Sequence, residues 1–303
     1  MPRPARHPRR PRSLGAPGAV LVGTLLTLSS GCSAPTAGAP TRPDASAPAV
    51  EPATPVSYGL PQDVMPMVLP TGGADTRLTQ GLEGFTSLIR SETVRACFTS
   101  AHAKLPDAPP AMFVRLYEIP DLETIAHNGF APATVPGQQL SPAGGAAPDN
   151  ALVQSCGQKG DAAAAELQSV YGPLFSRWLG GLAPLETQDT VVSARKTFTG
   201  CLADKGVRAK DENDFFNGVD KKIQAIDDRD AMKAEDRRLG AIYATCMKPV
   251  EAAREPLRAK AREQYVAEHK DELAQIRTSL PERVATMEKR YGIRFSVPTP
   301  AGH

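Results

Sequence analysis

Apolar residues recur in steps of three and four along the C-terminal third of the chain. They run through Leu239, Tyr243, Cys246, Val250, Ala253, Leu257, Ala261, Tyr265, His269, Leu273 and Ile276, then through Leu280, Val284, Met287 and Tyr291. That is the period of one helical face, and it predicts a long helix. Pro249 and Pro256 each remove a backbone donor and should kink or break it. Ser279 with Glu282 forms a capping box, and Pro281 suits a first turn, so a further helix is expected to start there and end at Gly292. The same period appears from about Thr187 to Lys205, with Val191, Phe198, Cys201 and Leu202 inward and Gly206 as the stop. It appears again over Asp161 to Leu182, through Leu167, Tyr171, Leu174 and Trp178, where Gly172 and Pro173 should kink the helix. Upstream, Phe85, Leu88, Ile89, Val94, Cys97 and Phe98 keep helical spacing with a change of phase near Ser91. Residues 105–149 read as a loop-rich insertion with one short helix, Asp121 to Asn128, capped by Asp121 and stopped by Gly129. No stretch alternates β-branched residues over a strand's length. The pattern predicts an all-α helical bundle with a long kinked C-terminal helix.

The N-terminal third follows a different logic. "MPRPARHPRRPRS" carries five arginines and no acid, and an uncharged stretch follows up to Cys32. Its apolar core, Ala19 to Leu28, is too short to span a bilayer, which takes about 20 residues. A basic head, a short apolar middle and small residues describe an export signal. Ser29, Ser30 and Gly31 immediately before Cys32 resemble the lipobox of bacterial lipoproteins, with Ser29 where that pattern usually has leucine. The resemblance implies a diacylglyceryl group on Cys32 and palmitate-type acyl chains anchoring the chain to the membrane. Two chains make a stable anchor. Arg9 and Arg10 are followed by Pro11, which leaves open whether export uses the twin-arginine route. Proline recurs every few residues from Ser33 to about Val56, so an extended, disordered spacer is expected. The expected organisation is a signal peptide at 1–31, a Pro/Ala-rich linker at 32–75 whose "LPQDVMPMVLP" packs onto the domain edge, a helical domain at 76–292 and a flexible tail at 293–303.

Removing the signal changes the charge. The whole chain has 35 basic and 33 acidic residues. Without the five arginines of residues 1–31, 30 basic residues face the same 33 acids, a formal −3. The basicity therefore belongs to the leader, and no nucleic-acid partner is expected. Four cysteines remain besides Cys32: Cys97, Cys156, Cys201 and Cys246. Four cysteines in an exported chain read as two disulfides with three possible pairings. Sequence neighbours, Cys97 with Cys156 and Cys201 with Cys246, are favoured, because Cys201 and Cys246 sit on the inward stripes of successive helices. Each bridge would close a loop worth about 4 kcal/mol on the chain-entropy model.

"FTGCLADKGV", with Cys201 and Gly206, and "IYATCMKPVEAAREPLRAKAREQYVAEH", with Cys246 and His269, resemble a group of exported helical proteins of high-GC Gram-positive bacteria. Cys97 and Cys156 also stand where that group tends to carry cysteines. The resemblance implies an extracytoplasmic helical domain on the outer face of the cytoplasmic membrane and carries no activity with it.

Catalytic motifs are sparse. A nucleophile elbow, a P-loop and a zinc-protease helix are missing from the sequence, and neither a metal nor a cofactor is expected. "DENDFFNGVD" resembles a calcium loop, but phenylalanines occupy its middle. His269 lies on the apolar stripe and is read as a histidine inside the bundle or at its rim. Arg254, Arg258 and Arg262 recur every four residues and are read as a solvated basic edge paired with Glu251 and Glu255, or else as a contact for lipid headgroups or wall polymer. Trp178, the single tryptophan, is assigned to the core. The leading expectation is a non-enzymatic binding module for an envelope protein, wall polymer or small ligand. The rivals are an envelope hydrolase built from distant carboxylates and His269, and a redox sensor using the disulfides.

Overall fold

Two apolar clusters organise the structure, and one helix threads both. The computed structural model describes residues 55–106, 109–138 and 145–300. Cys32, the export signal and most of the proline-rich stretch lie outside the described residues. The described residues belong to one unit, Glu51–His303. Its elements in order are β1 (Val56–Tyr58), α1 (Met65–Val68), α2 (Gly73–Ser100), α3 (Leu122–Asn128) and α4 (Asn150–Leu182). A 3-10 turn (Ala183–Thr187), α5 (Asp189–Asp204), α6 (Glu212–Gln224), α7 (Arg229–Glu268), α8 (Lys270–Tyr291) and β2 (Ser296–Pro298) follow. The fold is an all-α bundle, as the apolar spacing predicts.

The first cluster packs α1, α2, the second half of α4, α8 and the segment after it, through Leu82, Phe85, Leu167, Trp178, Leu280 and Phe295 among others. The second packs α3, α5, α6 and the first half of α7, through Ile125, Phe198, Phe215, Tyr243 and Val250. One disulfide links two helices that carry the first cluster, and the other lies within the second. Cys97–Cys156 ties the end of α2 to the start of α4, and Cys201–Cys246 ties α5 to α7, with Cα atoms 5.6 and 5.5 Å apart. Both favoured pairings are present. The second half of α7 brings Ala261, Tyr265 and Val266 against the first cluster.

Local signals explain several boundaries. Asp121 accepts from the Thr124 amide at the start of α3, and Gly129 turns the chain at φ 76°. At the end of α5 the amides of Gly206 and Val207 reach back to the Ala203 and Leu202 carbonyls, at 2.9 and 2.8 Å. This is a Schellman cap, with Gly206 at φ 77°.

Four expectations need correction. The domain begins near residue 55, because Met67, Val68 and Leu69 of the supposed linker are completely buried. Thr79 donates to the Met67 carbonyl and Trp178 Nε1 to the Pro70 carbonyl, which seals this segment inside. The supposed flexible tail is also part of the fold: Ile293, Phe295 and Val297 are buried. β2 pairs antiparallel with β1, Ser57 opposite Val297, and crosses α2 where Gly81 leaves room for the Ser296 carbonyl. Third, of the kink or break expected in α7, there is no break at Pro249 or Pro256, and α4 likewise continues through Pro173. These prolines are exposed, as are Thr245 and Ala252 one turn before the two in α7, so solvent can take the orphaned carbonyls. Fourth, the joint before α8 lies at His269 rather than Ser279. The Ser279 hydroxyl turns back to the Gln275 carbonyl within the helix instead of capping a new one.

Among the described residues no helix is long and apolar enough to cross a membrane.

Candidate functional site

The arginines read as a solvated edge are inside the protein. Arg254 is 3% exposed and Arg258 2%. They sit on the stretch of α7 that passes between the two apolar clusters. One carboxylate, Glu251, serves both: it accepts from Arg254 at 2.8 Å and from Arg258 at 2.7 and 3.1 Å. Arg258 also donates to the carbonyls of Thr71 and Glu118, at 3.1 and 3.3 Å. Arg254 reaches Glu186, beyond the end of α4, at 2.8 Å. Arg262, one turn on, pairs with Asp75 at 2.9 Å and donates to the Leu69 carbonyl. The repeat at every fourth residue is therefore a latch joining α7 to the 69–75 segment, the loop before α3 and the turn after α4. Burial works against the charge of Arg254, but Glu251 and Glu186 outweigh it and hold its pKa above the ordinary arginine value.

The latch forms the back wall of an open cleft of about 590 Å³. Its floor is apolar, from Leu179 and Leu182 of α4. Its side is α6, which presents Glu212, Phe216 and Asp220 at steps of four residues. Its opposite lip is Tyr117 and Glu118. Tyr117 meets Phe216 edge to face, with ring centroids 4.9 Å apart. Burial raises the pKa of the Tyr117 hydroxyl; Arg115 opposes this and Asp220 reinforces it. Tyr243 donates to Glu212 at 2.5 Å, and burial, reinforced by Glu212, pushes its own pKa up. Glu186 is held between Arg254 and Arg195. A second cavity of about 650 Å³ shares the wall of Glu186, Arg195, Glu212 and Asn213 and continues toward Lys196 and Lys210.

His269 lies elsewhere. It occupies the joint between α7 and α8, a third exposed, its ring 4.1 Å from that of Tyr265 and its Nδ1 3.9 Å from Glu272. Glu272 is itself taken by Arg177. The structure thus does not bring His269 to the carboxylates of the cleft, and the helical-stripe reading placed it only approximately. Trp178 is core, as assigned. The segment that resembles a calcium loop is α6, with Asp211 as its cap accepting from the Asp214 amide. Among the described residues no group of histidine, cysteine and acidic side chains could hold a metal ion.

No helix is predicted from the sequence over Glu212–Gln224, so Glu212, Phe216 and Asp220 go unrecognised as one helical face. The Asp211 cap, with Asp214 three residues on, was the available signal. Glu186 and Tyr117 carry no local signal, since long-range packing brings them to the cleft.

Comparison with protein-family models, curated proteins and solved structures gives no match to this chain, so the reading of the cleft stands on its geometry.

Proposed function

We propose that the protein is a lipid-anchored, extracytoplasmic binding module that receives its partner in the cleft between α4, α6 and α7. The observation that carries the binding reading is the state of the cleft's polar groups. Arg195, Arg254 and Arg258 are held by carboxylates or carbonyls, Glu186 lies between two guanidinium groups, and Glu212 accepts from Tyr243. Groups fixed in this way shape and select a ligand rather than exchange protons, which leaves the exposed Glu118 and Asp220 as the carboxylates free to meet one. The cavity's size, and an apolar floor set inside a charged wall, suit a small ligand.

Export is supported by two disulfides, which persist in an oxidising compartment. The anchor is supported by the run of small residues before Cys32. β1 leads in directly from the spacer, so the tether would join the domain beside its C-terminal strand.

Fractionation of cells expressing the wild type and Cys32→Ala tests the reading. The wild type should remain with membranes and be degraded by protease added to cells stripped of their wall. Cys32→Ala should lose the lipid-dependent attachment. Retention of both forms in the cytosol, with reduced thiols, would contradict it.

A further inference from the structure

We propose that the cleft selects an organic cation, an ammonium or quaternary ammonium group carried on an apolar body. This rests on reading the cleft as the binding site and names the chemistry of its occupant. A cleft with three arginines in its wall invites the opposite assignment, an anion. The hydrogen bonds argue against that. Arg254 is committed to Glu186 and Glu251, Arg258 to Glu251 and two carbonyls, and Arg195 to Glu186. Arg115, which acts on Tyr117, donates to the carbonyls of Phe130 and Ala131.

The uncommitted groups of the cavity are acids. Glu118 and Asp220 both line it, both are exposed, and among the described residues neither carboxylate has an ion pair or hydrogen bond. The lining has four acids, Glu118, Glu186, Glu212 and Asp220, against its three arginines, and Glu251 adds a fifth negative charge directly behind. The cavity therefore carries an excess of negative charge, concentrated where the carboxylates are free.

The aromatic pair points the same way. Tyr117 is 45% exposed and packs on Phe216 at the lip. Exposed ring faces attract cations through the ring quadrupole, more strongly with a carboxylate nearby. Leu179 and Leu182 offer the apolar floor that a purely ionic ligand would leave uncovered. An anion entering here would meet Glu118 and Asp220 and find its potential partners already engaged.

Two probes of equal apolar length and opposite charge, butyltrimethylammonium and pentanoate, decide the matter by calorimetry on the full mature chain in nanodiscs, with empty discs as blank. Butyltrimethylammonium should bind about tenfold more tightly than pentanoate. Asp220→Asn, Glu118→Gln and Tyr117→Leu should each weaken the cation about threefold. These are exposed positions, so the fold should survive, and circular dichroism checks it. Equal or tighter binding of pentanoate would overturn the cation assignment while leaving the cleft a binding site, and cation binding indifferent to all three substitutions would overturn both. No saturable binding of either probe to folded protein would overturn both, independently of where Cys32→Ala fractionates.

Discussion

Glu251 is the residue on which the latch depends, and Glu251→Gln is the substitution that exposes this. The side chain keeps its shape and loses its charge, so packing effects are small. Arg254 still has Glu186, at 2.8 Å. Among the described residues Arg258 has no other carboxylate: its remaining partners are the carbonyls of Thr71 and Glu118, and it is 2% exposed. A guanidinium left buried without a counter-charge costs about 3–5 kcal/mol. For a domain of this size, each kcal/mol shifts the melting temperature by about 2–4 °C, so a fall of about 10 °C is expected. Adding Arg258→Met should recover much of the loss, because it removes the stranded charge. The double variant should be more stable than the sum of the single effects by about 2–3 kcal/mol. Urea denaturation followed by circular dichroism is the assay, since a neutral denaturant leaves ion pairs unscreened. Arg90→Gln is the control. It breaks an ion pair with Asp161 in which both side chains are more than half exposed, and should change stability by no more than about 0.5 kcal/mol. If Glu251→Gln behaves like Arg90→Gln, or if its effect adds to that of Arg258→Met without coupling, the latch does not carry the load assigned to it.

Three further outcomes are expected. Burial raises the pKa of Glu83 above its ordinary 4.5 despite the bond from Tyr171. A carboxyl raised in the folded state contributes stability that is complete below its unfolded value and is lost as pH rises through the folded one. Glu83→Gln should therefore match the wild type in acid and gain on it as pH rises above about 4.5; a difference independent of pH would refute the shift. Replacing Cys201 and Cys246 together by alanine should cost about 2–5 kcal/mol. It should speed amide exchange in α5 and α6 while leaving α2 and α4 protected, and uniform loss of protection would contradict the division into two clusters. Gly81→Val should push the Ser296 carbonyl away from α2, at a cost of about 1–3 kcal/mol. It should also make the chain after Tyr291 sensitive to protease, and an unchanged digestion pattern would count against the docked tail.

What could be read from the sequence was mostly local. Asp121 and Gly129 bracket α3 because a cap and a stop act within one turn, and Gly206 closes α5 for the same reason. Cys201 and Cys246 were placed correctly because both fall on apolar stripes, which face inward wherever the helices pack. The arginines failed for a complementary reason. Spacing shows that Arg254, Arg258 and Arg262 share a face, but what covers that face is decided by Thr71, Asp75 and Glu118, more than a hundred residues away. Charge suggested solvent; the compensating acids and carbonyls made burial possible. The 64–71 segment was placed at the domain edge rather than inside, because its apolar residues lack a helical period long enough to show how deep they pack, and Met67, Val68 and Leu69 enter the core. Of the cleft, only Arg254 and Arg258 were singled out from sequence, and in the opposite role.

Under the proposed function, lipid on Cys32 holds this bundle at the outer face of the cytoplasmic membrane. Mass spectrometry of the N-terminal peptide from the membrane-fraction protein tests it most directly. The account predicts a peptide beginning at Cys32 and heavier by a diacylglyceryl group. An unmodified Cys32 inside an uncleaved leader, or a chain cut elsewhere without lipid, would contradict it.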